Sequence, residues 1–227
     1  MTNLGFECRL LGVLTRRVSI GAMACALACA FSACRAGDAS ASMSGATQKA
    51  LPRIEAVPTS ALGLSVDEAY AAIPHRRTAI AFAGSKVPRA DQDYLQVAFA
   101  VIDQAVLLRV TTYQSFVRGK TADPTAISRM DRLITFFQGV DPPAHLKTYH
   151  KRIEQALADQ RAFFNDWRTQ GSEFQYARGT SLGSHPKVAS SSSALKEAYG
   201  ILMQAYPAED SHNKEAFFDY HCALDFL

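Results

Sequence analysis

Between Asp91 and Arg118 the chain repeats apolar residues at three- and four-residue steps: Leu95, Ala98, Phe99, Ile102, Ala105, Val106, Val110, Tyr113 and Val117, stopping at Gly119. That spacing lays one stripe along one face of a helix, whereas a strand would need strict alternation. A helix of about seven turns with such a stripe must bury it against other elements.

The flanking segments carry the same period. Ser65-Val66-Asp67-Glu68 predicts a capping box and a short helix that stops near Ile73, ahead of Pro74. Asp123-Pro124 gives an N-cap with proline at the first helical position, followed by Ile127, Met130, Leu133, Ile134 and Phe137. Asp141-Pro142-Pro143 repeats that start, and Leu146, Tyr149, Ile153, Leu157, Phe164 and Trp167 follow up to Gly171. Residues 171–186, with Gly171, Gly179, Gly183 and Pro186, read as a long loop. One further helix within 187–205 carries Leu195, Tyr199, Leu202 and Ala205, and the last starts near Ser211 with Phe217, Phe218, His221, Leu224 and Leu227. No stretch alternates apolar and polar residues over more than a few positions. The expected fold is therefore all-α, an up-and-down antiparallel bundle of about five helices over residues 62–227.

The N-terminus has a different grammar. Arg9, Arg16 and Arg17 precede an uncharged run from Val18 to Ala33, and its 16 small and apolar residues fall short of the roughly 20 a spanning helix needs. Residues 1–33 have the layout of a signal peptide. The run ends Phe31-Ser32-Ala33-Cys34, which resembles the lipobox of bacterial lipoproteins, with Phe31 in place of the usual Leu. The resemblance implies diacylation of Cys34, which becomes the new N-terminus; Cys29, after Ala26-Leu27-Ala28, is the rival position. Arg35 stands where lipoproteins of the inner membrane commonly have Asp, so the resemblance implies the periplasmic face of the outer membrane. Several acyl chains anchor firmly, whereas one binds a bilayer marginally. From Arg35 to Ala61 the composition shifts to Ala, Ser, Gly, Thr and Pro, so residues 34–61 read as a lipidated Cys and a disordered tether.

Charge and cysteine content narrow the function. Of 24 Lys+Arg and 21 Asp+Glu, cleavage before Cys34 removes three Arg and Glu7, leaving 21 against 20. A balance that close to neutral gives no electrostatic footprint for nucleic acid. A mean hydropathy of -0.05 excludes a polytopic membrane protein. Four of the five Cys lie in the targeting segment, so cleavage before Cys34 leaves Cys222 as the one thiol besides the lipidated residue, and no disulfide staples the domain.

Motifs for covalent haem, zinc hydrolysis, a serine nucleophile elbow and a phosphate loop are all missing, so no cofactor or metal is expected. Glu209 with His212 has di-metal spacing only once, where a bundle site needs two such motifs and two further Glu. Pro74-His75-Arg76-Arg77-Thr78 is the densest polar cluster, and its guanidinium forks suit a carboxylate or phosphate. His145 and His150 lie five apart on a helix, about 140° from one another, and cannot share a metal; both are expected on the surface, with the Tyr149 hydroxyl at the rim. In Asp219-Tyr220-His221-Cys222 the imidazole points away from its neighbouring thiol, which reads as a small buried hydrophobe. Arg109 lies on the apolar stripe, where a charge must snorkel or meet an acid such as Asp103, Asp131, Asp219 or Asp225.

These features lead to a lipid-anchored envelope protein whose periplasmic bundle binds a partner protein or envelope component without catalysis. The alternative is a small-ligand or catalytic site in the bundle core, where Arg109, Tyr113 and the last helix converge. A purely structural spacer is a third possibility.

Overall fold

The long stripe forms a single helix from Arg89 to Val117, and it is the spine of the fold. The computed structural model describes residues 64–73, 76–118, 124–174 and 179–226; the expectations for the signal peptide, Cys34 and the tether lie outside them. Six α-helices are described: α1 (Val66–Ala71), α2 (Arg89–Val117), α3 (Pro124–Gln138), α4 (Lys147–Gln170), α5 (Pro186–Ala205) and α6 (Ser211–Leu224). No strand occurs among the described residues, and the all-α bundle expected from periodicity is what forms.

Local chemistry sets the helix ends. The Ser65 Oγ accepts from the Glu68 N–H at 3.2 Å while the Glu68 carboxylate accepts from the Ser65 N–H at 2.6 Å, completing the capping box of α1. Pro186 opens α5, with the His185 side chain accepting from the Lys187 N–H, and the Asp210 side chain caps α6 by accepting from the Asn213 N–H. One 3₁₀ turn, Ala144–Leu146, precedes α4, and Gly171 ends it at φ +57°, a left-handed conformation that a Cβ would strain. The expected loop after α4 is broken by 3₁₀ turns at Gly171–Glu173 and Gly179–Ser184.

Side-chain pairs fix the helix directions. Asp131 meets Arg161 while Phe137 stacks on His150, so α3 and α4 are antiparallel. Gln160 meets Ser191 while Arg152 meets Glu197, and Ser192 meets Asp225 while Tyr199 meets Phe218; α4, α5 and α6 therefore alternate too. Against α2, Tyr94 meets Tyr149 and Phe116 meets Trp167, so α4 runs parallel to α2. Helices α2 to α6 form a ring in sequence order. Five is odd, so the ring must close on a parallel pair: Phe99 of α2 packs on Phe217 and Arg109 reaches Ala223 of α6.

Inside the ring, α2 buries residues along most of its length, Leu95, Ala98, Ile102 and Ala105 to Leu108 among them. By length and apolar content α2 could cross a bilayer, but 78% of its most apolar 18-residue window is buried in the bundle. Phe99, Phe163, Phe164 and Phe217 are at most 2% exposed, and each such burial stabilises by roughly 1.5–3 kcal/mol.

Candidate functional site

Residues 76–88 form an extended strap between α1 and α2, and side chains of α6 and its preceding turn hold it in place. Asp219 accepts from both the N–H and the hydroxyl of Thr78, at 3.1 and 2.6 Å. The His212 Nε2 is 3.0 Å from the Ala79 carbonyl. Asn213 bonds Ala81 twice, and the Glu209 Oε2 accepts from the Ser85 hydroxyl and the Lys86 and Val87 N–H groups. Gly84 turns the strap at φ +79°. A non-helical segment needs partners for its backbone polar groups, and α6 supplies them.

That strap decides the fate of the basic cluster. Pro74 and His75 lie outside the described residues, and Arg76 is exposed. Arg77 does present a guanidinium fork to a carboxylate, but the carboxylate is the chain's own: Nε and Nη2 bond Asp103 of α2 at 3.2 and 2.5 Å, and Nη1 bonds Asp67 of α1. The Tyr70 hydroxyl also donates to Asp103. Burial pushes the Asp103 carboxyl above its usual value, while Arg77 and Tyr70 pull it back down. Arg77 is thus a structural clasp that ties α1 and the strap to α2.

Arg109 is 6% exposed, yet none of the four acids expected as partners bonds it. Asp103 is taken by Arg77, Asp131 by Arg161, Asp219 by Thr78, and Asp225 by Ser192. Arg109 Nη2 instead donates to the Ala223 carbonyl at 2.7 Å, where the C-terminal end of α6 carries partial negative charge. Its guanidinium lies 5.3 Å from the Phe226 ring centroid, and burial lowers its pKa to about 10. Tyr113, one turn further on, sets its ring edge against Trp167 at 5.9 Å.

His221 is buried against Phe99, Tyr149 and Tyr199. Its Nδ1 is 2.5 Å from the Phe217 carbonyl, so Nδ1 carries the proton and Nε2 is left as an acceptor with no hydrogen-bond partner. Burial lowers its pKa to about 4. The ring bonds its own helix backbone, and the neighbouring Cys222 thiol is half-buried.

The opposite end of α2 holds a cleft of about 250 Å³ lined by Asp91, His145, Tyr206 and Glu209, with Lys86 and Pro88 also in its wall. Asp91 is 4% exposed; its Oδ2 accepts from the Tyr206 hydroxyl at 3.0 Å and lies 3.1 Å from the His145 Nε2. A buried carboxylate thereby orients an imidazole that is half exposed. Behind the cleft, the Tyr94 hydroxyl is 3.1 Å from the His150 Nδ1, and the His150 Nε2 is 3.2 Å from Glu154. Two placements differ from the sequence expectation. His150 is buried, stacked on Phe137 at 4.1 Å, and burial lowers its pKa. The Tyr149 hydroxyl, in the first turn of α4, is buried without a partner rather than at the rim.

Chemically, the two chains Tyr206–Asp91–His145 and Tyr94–His150–Glu154 can orient an imidazole and hold protons at defined atoms. Among the described residues no group of three or more His, Cys, Asp or Glu could hold a metal ion. Sequence reasoning missed Asp91, Tyr206 and Glu209 as a set, since they come from two helix ends and a turn; the only local signal was an acid in the first turn of α2. Comparison with protein-family models, curated proteins and solved structures finds no match for this chain.

Proposed function

We propose that the protein is a lipid-anchored cell-envelope protein, held through Cys34 at the periplasmic face of the outer membrane, whose helical bundle binds a partner protein or envelope component without catalysis. The signal-peptide layout and lipobox-like Phe31-Ser32-Ala33-Cys34 support the address. One observation supports binding: the 250 Å³ cleft at the start of α2, where the buried Asp91 carboxylate orients a half-exposed His145. Elsewhere, two charged groups singled out in the sequence are consumed by the fold, Arg77 by Asp103 and Asp219 by the strap. The cleft has room for a single inserted side chain or a small polar group.

A photo-crosslinking residue placed at His145 in the intact, membrane-borne chain tests this reading, with the same residue at exposed Val117 as the control. A discrete adduct at His145 that is absent at Val117 supports it. Identical patterns at both positions, or none at either, would refute it.

A second reading, a small-ligand site in the bundle core at Arg109, is favoured by one observation: no carboxylate bonds this buried guanidinium, and its Nε has no hydrogen-bond partner.

A further inference from the structure

The lining of the cleft at the start of α2 selects what can enter it. Two of the residues that wall the same 250 Å³ space are carboxylates held almost out of water: Asp91 and Glu209 are each 4% exposed. All five hydrogen bonds to Glu209 come from neutral donors, namely the Ser85 hydroxyl, the Lys86, Val87 and Asp210 N–H groups and the Asn213 amide. Its charge is solvated by the fold without being cancelled. The partners of Asp91, the Tyr206 hydroxyl and the His145 Nε2, both meet one oxygen, Oδ2, so Oδ1 is the remaining acceptor of that carboxylate. Lys86, the lysine in the wall, is exposed and reaches Glu209 through its backbone N–H. Lys214, close by, is tied through Nζ to the Pro207 carbonyl at 2.6 Å.

These charges rank the side chains a partner could insert. An anion would meet two carboxylates of its own sign, in surroundings where charges act more strongly than in water. An apolar side chain would strip the last water from Asp91 and return no hydrogen bond. A cation on an apolar stem meets both needs, because Pro88, Ala205, Pro207 and Ala208 give the stem an apolar wall beside the acids. Where His145 carries a proton and balances Asp91, Glu209 still leaves the cleft negative. The form of the cation follows from the free acceptors. A guanidinium fork needs two acceptors side by side, but Asp91 Oδ2 already has two partners and Glu209 has five. One acceptor suits a compact ammonium.

Taking the cleft as the binding site of the proposed function, we propose that its occupant is a lysine side chain of the partner protein. The ammonium bonds the Asp91 carboxylate, and the methylenes lie against the proline and alanine wall. Asp91 is then the residue that sets specificity, and the buried charge of Glu209 reinforces it.

The test uses the full-length chain in detergent at constant low ionic strength, with ¹³C-labelled histidine. The ring signal of His145, at the mouth of the cleft, is assigned by its loss in His145→Gln. The probes are three alanine tripeptides blocked at both ends, with lysine, glutamate or methionine at the centre. The lysine peptide is expected to shift the His145 signal and to bind at least tenfold more tightly than either of the others. Asp91→Asn is expected to weaken it at least fivefold. Lys86→Glu, which alters an exposed side chain and serves where Asp91→Asn does not fold, is expected to tighten it about threefold, the effect of one exposed charge pair. Three results would each overturn the proposal: a glutamate or methionine peptide that binds as tightly, a lysine peptide that leaves His145 unshifted, or variants that do not change its affinity in these directions. Photo-crosslinking at His145 reads the partner separately. A discrete adduct without lysine-peptide binding keeps the partner and removes the lysine, whereas lysine-peptide binding without an adduct removes the partner protein.

Discussion

The carboxamide of Asn213 pairs with the backbone of Ala81 on both sides: its Oδ1 accepts from the Ala81 N–H at 2.9 Å and its Nδ2 donates to the Ala81 carbonyl at 2.8 Å. An amide side chain here does what a neighbouring strand would do, where no strand occurs among the described residues. Asn213 is 0% exposed, so its removal leaves no second group to take over. Its Nδ2 also donates to the Glu209 Oε1, so Asn213→Ala is expected to cost about 3 kcal/mol, three hydrogen bonds at roughly 1 kcal/mol each, read from urea unfolding. Hydrogen exchange at Ala81 should accelerate more than at residues of α4.

Arg76 and Arg77 are adjacent in sequence and differ entirely in role. Arg77→Met leaves Asp103 buried with only the Tyr70 hydroxyl, which is expected to destabilise by about 3 kcal/mol. Arg76→Ala should stay within about 0.5 kcal/mol of the parent. Equal midpoints in denaturant for the two variants would contradict the clasp.

Acid should loosen the fold in two windows. His221 falls from 6.5 unfolded to about 4 folded because burial disfavours its charge. The unfolded chain then binds more protons, so this stability is complete above pH 6.5 and drains as the pH falls toward 4. His150 and His185 are lowered by burial as well and add to the same window. For Glu209, burial raises the pKa, but hydrogen bonds from Ser85, the Asp210 N–H, Asn213 and the Lys86 N–H bring it to about 2. Its contribution is complete above 4.5 and is lost between 4.5 and 2. Thermal melts across pH 7 to 3 should show both slopes, and His221→Phe should flatten the upper one.

Cys34→Ser is expected to abolish incorporation of a clickable palmitate analogue and to leave the precursor uncleaved on gels. Persistent labelling of that variant, lost only on Cys29→Ser, would move the lipidation site.

How far the sequence could be read depended on whether a signal was local. The capping box at Ser65 and Glu68, the proline start at Pro124 and the stop at Gly171 rest on groups within four residues of each other and appear where the spacing placed them. Pro186, read as the end of a loop, instead opens α5, and α4 starts at Lys147 rather than at Asp141-Pro142-Pro143. Arg109 was correctly singled out as a buried charge, but its partner was not foreseeable. Side-chain reasoning searched among acids, and the partner is the Ala223 carbonyl, an acceptor every residue possesses. Likewise, nothing near Asp91 announces Tyr206 or His145.

The sequence by itself determined the helices and the stripes they bury, because a 3.6-residue period and a capping hydroxyl act on their own neighbourhood. Tertiary structure decided the rest. With five long helices alternating in direction the ring closes on a parallel α2–α6 pair, and that seam leaves the incoming strap to be hydrogen-bonded by Glu209, His212, Asn213 and Asp219. The same closure gathers the cleft at one end of α2 and the Arg109 cluster toward the other, from residues whose separation in the chain hides their proximity.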